Sequence, residues 1–195
     1  MGTILSQGDT VSLSDAAGGG LPASVTVGLG WDARPTLGEP FDLDVAALVC
    51  GPGGRVLSDQ HFVFYNNPGT PDSAVTHRGD SRTGRSRGDD EQIQVRLAAM
   101  RADAASVAFV ASIYDGSARK QNFGQVRSAY IRVLDDTDGT ELARYDLSEH
   151  AATSTALFFA EVYRAGSQWR FRAAGEPLKR GLVAFIKDRG VNVIE

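Results

Sequence analysis

The chain has 195 residues, 42% of them apolar, and a formal net charge of −4. That length suits one domain with a core of its own, and an acidic balance with scattered basic residues argues against nucleic acid as the main partner. A single cysteine, Cys50, excludes an intramolecular disulfide.

The amino terminus lacks a basic start followed by an apolar core, so no signal peptide is expected. No apolar run is long enough to span a bilayer, so no transmembrane segment is expected and the expected location is the cytoplasm. Residues 1–195 are expected to form one domain, with Leu13 to Pro22 as a mobile connection inside it. Val25 to Trp31 alternates, with Gly28 and Gly30 on one face. Phe41 to Val49 is nearly continuously apolar after Asp42 and Asp44, which suits an inner strand. Cys50, next to this run, is expected to be a buried, inert thiol. His61 to Tyr65 is a short aromatic run that begins on a packed or hydrogen-bonded histidine and stops at the turn Asn66-Asn67-Pro68-Gly69.

Gln92 to Leu97 alternates cleanly, and Leu97 to Ala105 holds a short helical turn. Ser106 to Tyr114 has apolar residues on both faces and reads as covered on both sides. Ser128 to Leu134 and Glu141 to Leu147 flank an Asp- and Gly-rich hairpin turn. Ala156 to Tyr163 and Gln168 to Arg172 flank another at Ala165-Gly166-Ser167. Pro177 to Arg189 carries an apolar stripe with Pro177 at a suitable first helical position, and Gly190 suits a left-handed cap. Many short strands and one late helix predict an all-β, antiparallel β-sandwich with loops carrying metal sites and a C-terminal helix.

Chemistry concentrates in acidic, Gly-rich loops at strand ends. Asp42 and Asp44 share a strand face, Asn66 and Asn67 follow an aromatic strand, and Asp80, Gly84, Asp89, Asp90 and Glu91 crowd one long loop. Gathered carboxylate and amide oxygens suit a hard cation such as Ca2+, which takes roughly 6–8 oxygen ligands in adaptable geometry. Glycines let the backbone fold back so that carbonyls also ligate. The solvated-turn reading competes with this for each loop taken alone.

Other motifs fall away. Leu134 to Asp146 has apolar Leu134 at the first EF-hand position and strands for flanks. Gly84-Arg85-Ser86-Arg87-Gly88 fits the nucleophile-elbow pattern, but charged flanks replace the strand and helix that an elbow needs. His61, His77 and His150 follow no zinc spacing. No His stands ready to complete an acid–base pair, so a metal-dependent hydrolase with Asp89, Asp90 or Glu91 as base ranks behind binding functions.

Several segments, in fixed order over nearly the whole chain, resemble TerD-type tellurium-resistance and stress-response proteins. They are Gly28-Leu29-Gly30-Trp31-Asp32, Phe41-Asp42-Leu43-Asp44, Phe62 to Asn67, Gly88-Asp89-Asp90-Glu91, Gln121 to Val126 and Ala143 to Leu147. The resemblance implies a cytoplasmic, non-enzymatic β-sandwich that binds two Ca2+ ions close together. It implies as metal ligands Asp42 and Asp44 from the Asp-x-Asp motif, paired Asn66 and Asn67, and Asp80, Asp89, Asp90 and Glu91 from the acidic loop. One departure is that Ser81 stands where the family commonly has Asn, and Arg85-Ser86-Arg87 fills the loop's middle.

From Gly79 to Glu91, four carboxylates face three arginines. An added positive charge about 8 Å away costs about 2 kcal/mol for each unit of charge it opposes at an effective dielectric near 20. Weaker Ca2+ binding than in acidic-loop relatives is therefore expected. The same arginines suit an anionic ligand beside the metal. A Ca2+-dependent recognition module for an anionic, lipid or protein partner is the alternative function.

Overall fold

Two six-stranded sheets face one another in the computed structural model, which describes residues 2–32, 40–79, 88–147 and 153–193. In chain order the strands begin with β1 (Thr3–Leu5), β2 (Thr10–Ser12), β3 (Val25–Asp32), β4 (Leu43–Cys50), β5 (Phe62–Val63) and β6 (Val75–His77). They continue with β7 (Glu91–Val95), β8 (Ser106–Ile113), β9 (Arg127–Asp135), β10 (Glu141–Asp146), β11 (Ala156–Ala165) and β12 (Gln168–Pro177). The helices are α1 (Leu13–Ala16) and α2 (Gly181–Asp188). The first sheet runs β1-β10-β9-β3-β7-β6 and the second β2-β12-β11-β8-β4-β5. Every pairing is antiparallel except β1 with β10.

Alternation builds the main core. Val25, Val27, Leu29, Ile93, Ile131 and Val133 point inward from the first sheet. Leu43, Val45, Val49, Val107, Phe109 and Leu157 meet them from the second. In β11 the register shifts between Phe158 and Ala160, so Phe159 and Ala160 both enter this core while Phe158 turns outward. The second sheet is apolar on its outer face as well. Ala46, Leu48, Cys50, Ala108 and Val110 are buried there against Ile186 and Val191, with Leu182 and Phe185 packed alongside. This is why β4 and β8 read as apolar on both faces: the sandwich lies beneath one side and α2 above the other. Burial pushes the Cys50 thiol up to about 11.

Several elements differ from expectation. Leu13 is fully buried on α1, whose start is capped by Ser12 Oγ accepting from Asp15 N at 3.3 Å, so this stretch opens as a packed helix and not as a mobile connection. β12 runs on to Pro177, paired with Leu157, and Leu178 N donates to Ala156 O at 2.9 Å. Pro177 therefore ends a strand, and the helix begins at Gly181, where φ is +77°. Its carboxyl end matches expectation: Gly190 has φ +91°, and Val191 N donates to Ile186 O at 3.0 Å. His61 sits on a 3-10 turn (Asp59–His61) ahead of β5, buried, with Nδ1 2.8 Å from Ser58 Oγ.

Candidate functional site

The acidic segments meet at one end of the sandwich. β3 ends there at Trp31 and Asp32, β7 begins there at Glu91, and β4 begins there at Leu43. β5 pairs only with Ala47 and Leu48 of β4, so it stops short of this end. The Val45 N–H beyond it donates instead to Glu91 Oε2, at 2.8 Å. His77 Nε2, from β6, lies 3.3 Å from the same oxygen. Glu91 is 1% exposed, and it ties β7 of the first sheet to the backbone of the second. A buried carboxylate holds such a place only when bonded.

Asp90 closes the neighbouring ladder. Its N–H donates to Leu29 O at 2.8 Å, and its Oδ2 accepts from Trp31 N at 3.2 Å. Asp42 precedes β4, half-buried, and its carbonyl accepts from Tyr114 N at 2.8 Å. Asp44 is half-buried on the outer face, in register with Ser112. The Glu91–Val45 bond thus sets the 89–91 segment against the start of β4.

Asp89 goes elsewhere. Its carboxylate has no exposed surface and lies on the outer face of the first sheet, over Gly28. A Cβ on Gly28 would overlap it, and one on Gly30 would overlap Tyr130, so these two glycines make the room. Asp89 Oδ1 accepts from Arg132 Nε at 2.7 Å and from Tyr130 OH at 3.0 Å, and Oδ2 accepts from Gln92 Nε2 at 3.2 Å. Arg144 stacks on the Tyr130 ring, 3.8 Å from its centroid. Burial, the Asp89 charge and the hydrogen bond push the Tyr130 phenol up to about 12. Burial works against the Arg132 charge, but Asp89 and Glu141 outweigh it and hold its pKa above the ordinary value.

Asn66 is exposed in the turn after β5. Asn67 uses its amide inside that turn, donating to Phe62 O at 2.6 Å and to Gln60 O at 3.3 Å. Asp80 and Gly84 lie outside the described residues, as do Arg82, Arg85 and Arg87. Among the described residues, no three of His, Cys, Asp or Glu are grouped to hold a metal ion. The described donor set still has the right chemistry for a hard cation, because Asp42, Asp44 and Asp90 bring carboxylate oxygens to one end of the fold. Asp89 fits a cation poorly, with a guanidinium already 2.7 Å away.

No motif marks Tyr130 or Arg132, and His77, which fits no zinc spacing, is brought to Glu91 by the fold. The face shared by Gly28 and Gly30 was the available signal for close approach by Asp89 and Tyr130. No comparable signal marked His77.

Among the described residues, no helix is long and apolar enough to cross a membrane. Residues 1–188 match the TerD domain family. The chain is 46% identical over 194 residues to tellurium resistance protein TerD of Serratia marcescens, covering 98% of this chain and 99% of that protein. It is 38% identical over 190 residues to general stress protein 16U of Bacillus subtilis (strain 168), covering 97% of each. A solved structure of a homologue of telluride resistance protein (TerD) from Streptomyces coelicolor A3(2) shares the fold. Its TM-score is 0.67, with 24% identity, over 85% of this chain and 95% of that one.

Proposed function

The chain belongs to the TerD family of tellurium-resistance and stress-response proteins, and from that premise we propose that it is a non-enzymatic, cytoplasmic Ca2+-binding stress-response protein. The observation that carries the reading is the Glu91 bond to Val45 N, which brings the start of β4 and the 89–91 segment together at one end of the sandwich. Asp42, Asp44 and Asp90 would hold the ion there, with further oxygens from the loop containing Asp80. Bound Ca2+ supplies positive charge that offsets the cost of gathering carboxylates, and it cross-links segments from both sheets.

The test is calorimetric titration of chelator-stripped protein with Ca2+ beside Mg2+, with the melting temperature followed in parallel. Saturable Ca2+ binding is expected, lost in Asp42→Asn and Asp44→Asn. Arg85→Glu with Arg87→Gly is expected to tighten it. One site at one hundred times its Kd adds about 2.7 kcal/mol of stability. No binding in the millimolar range would overturn the reading.

A further inference from the structure

The outer face of the second sheet carries a groove distinct from the buried Glu91–His77 contact, with a volume of about 420 Å3. Small-molecule sites run to roughly 300–1,000 Å3 and join an apolar lining to a few polar groups. Leu182 and Ile186 of α2 close one side of this groove. Phe62, Phe64 and Tyr65 form an aromatic wall, with Phe62 stacked on Phe64 at 4.8 Å and Tyr65 set edge-on to Phe64 at 5.4 Å between centroids. Tyr114 stands at the end of β8, and Tyr65 and Tyr114 are about half exposed, at 48% and 50%. Large aromatics left in water around a concavity mark a binding surface more often than scattered surface residues do.

The charge of the lining names the ligand class. Asp44 and Asp115 belong to it, and among the described residues no Lys or Arg does. Arg119 covers the Tyr114 ring at 5.2 Å from outside the lining, while among the described residues no cation stacks on Phe62, Phe64 or Tyr65. Two carboxylates beside an aromatic wall favour a positive charge that is only partly hydrated.

We propose that this groove binds a small organic cation, a protonated amine carried on an apolar or aromatic body. The body lies against Phe62, Phe64 and Ile186. The ammonium faces Asp44 and Asp115 and the ring of Tyr65. This goes beyond the Ca2+ reading and shares Asp44 with it, so the amine is tested with Ca2+ removed.

The test uses three probes matched in body and different in charge: phenethylamine, phenethyl alcohol and phenylacetate. Each is titrated into the full chain in chelator, with the Leu182 and Ile186 methyl signals followed by NMR. The amine is expected to bind saturably, about tenfold tighter than the alcohol, with phenylacetate weakest. Tyr65→Ala and Asp115→Asn should each weaken the amine by about fivefold. Both positions are exposed, and Asn tolerates the left-handed backbone of Asp115, where φ is +52°. Phenylacetate binding as well as the amine, an affinity unchanged in both variants, or no shifts at ten millimolar amine would each overturn the proposal. Chelator is present throughout, so loss of amine binding here and loss of Ca2+ binding by calorimetry are separate outcomes.

Discussion

Asp89 and Glu91 stand two residues apart, both with side chains almost wholly out of water, and they serve opposite sides of one sheet. Asp89 turns outward to a guanidinium, a phenol and an amide. Glu91 turns inward and takes a backbone N–H from the facing sheet together with His77. The first arrangement neutralises its carboxylate on the spot. The second uses the carboxylate to fix where β4 begins, and so where Asp42 and Asp44 sit. One acidic run therefore divides into a structural anchor and a positioning contact, and counting its charges overstates the ligands available to a cation.

Removing the anchor's cation should have the largest effect. Arg132→Met leaves Asp89 buried with only the neutral donors Tyr130 and Gln92, and should cost about 3 kcal/mol in urea unfolding. Ca2+ stoichiometry by calorimetry should not change, because Asp89 lies away from the proposed ligands. A lost Ca2+ site in this variant would erase the distinction between the two carboxylates. Glu91→Ala comes next, at about 2 kcal/mol, because it strands the Val45 N–H and His77. Glu91→Gln keeps an acceptor for Val45 and should cost about half as much.

Tyr130→Phe removes one donor to Asp89 and should cost about 1 kcal/mol near neutral pH. Its pH dependence is sharper. The phenol is pushed from 10.0 up to about 12, so its contribution is present below pH 10 and is lost as pH rises toward 12. Alkaline unfolding should be steeper in the native chain than in Tyr130→Phe across that window, and phenolate absorbance reports the same group directly.

Much of the sandwich was legible because burial leaves a period of two. β3, β7 and β9 alternate, and β4 and β8 are apolar on both faces because α2 covers the second sheet. The short edge strands β1, β2 and β6 were not legible, since three residues carry too little pattern to separate a strand from a loop. β12 hid its last turn of pairing in Ala173-Ala174-Gly175, which does not alternate, so Pro177 looked like a helix start. At the site, the acidic residue types were plain and their partners were not. Arg132 lies 43 residues from Asp89, and Val45 lies 46 residues from Glu91. Local spacing carries no information about pairings that only the sheet order creates.

A third carboxylate on the first sheet supplies the smallest expected effect. Asp136 follows β9 and is exposed, whereas the Asp89 side chain is out of solvent. Its partners are neutral: Thr26 Oγ1 and Gln94 Nε2 each donate to it at 2.6 Å, and Ser24 Oγ donates as well. Partial desolvation raises its pKa, but these three donors, with help from Arg78, outweigh that and hold it below the ordinary 3.8. A depressed carboxylate pKa contributes stability above pH 3.8 that is lost as pH falls through the lower folded value. Asp136→Asn should therefore lower stability slightly at neutral pH, with the difference closing in acid. Added salt should leave that difference nearly unchanged, because neutral donors do most of the work. A gap between the two acid-unfolding profiles that persists well below pH 3.8 would show that the amide disturbs packing, and that Asp136 contributes no charge-dependent stability.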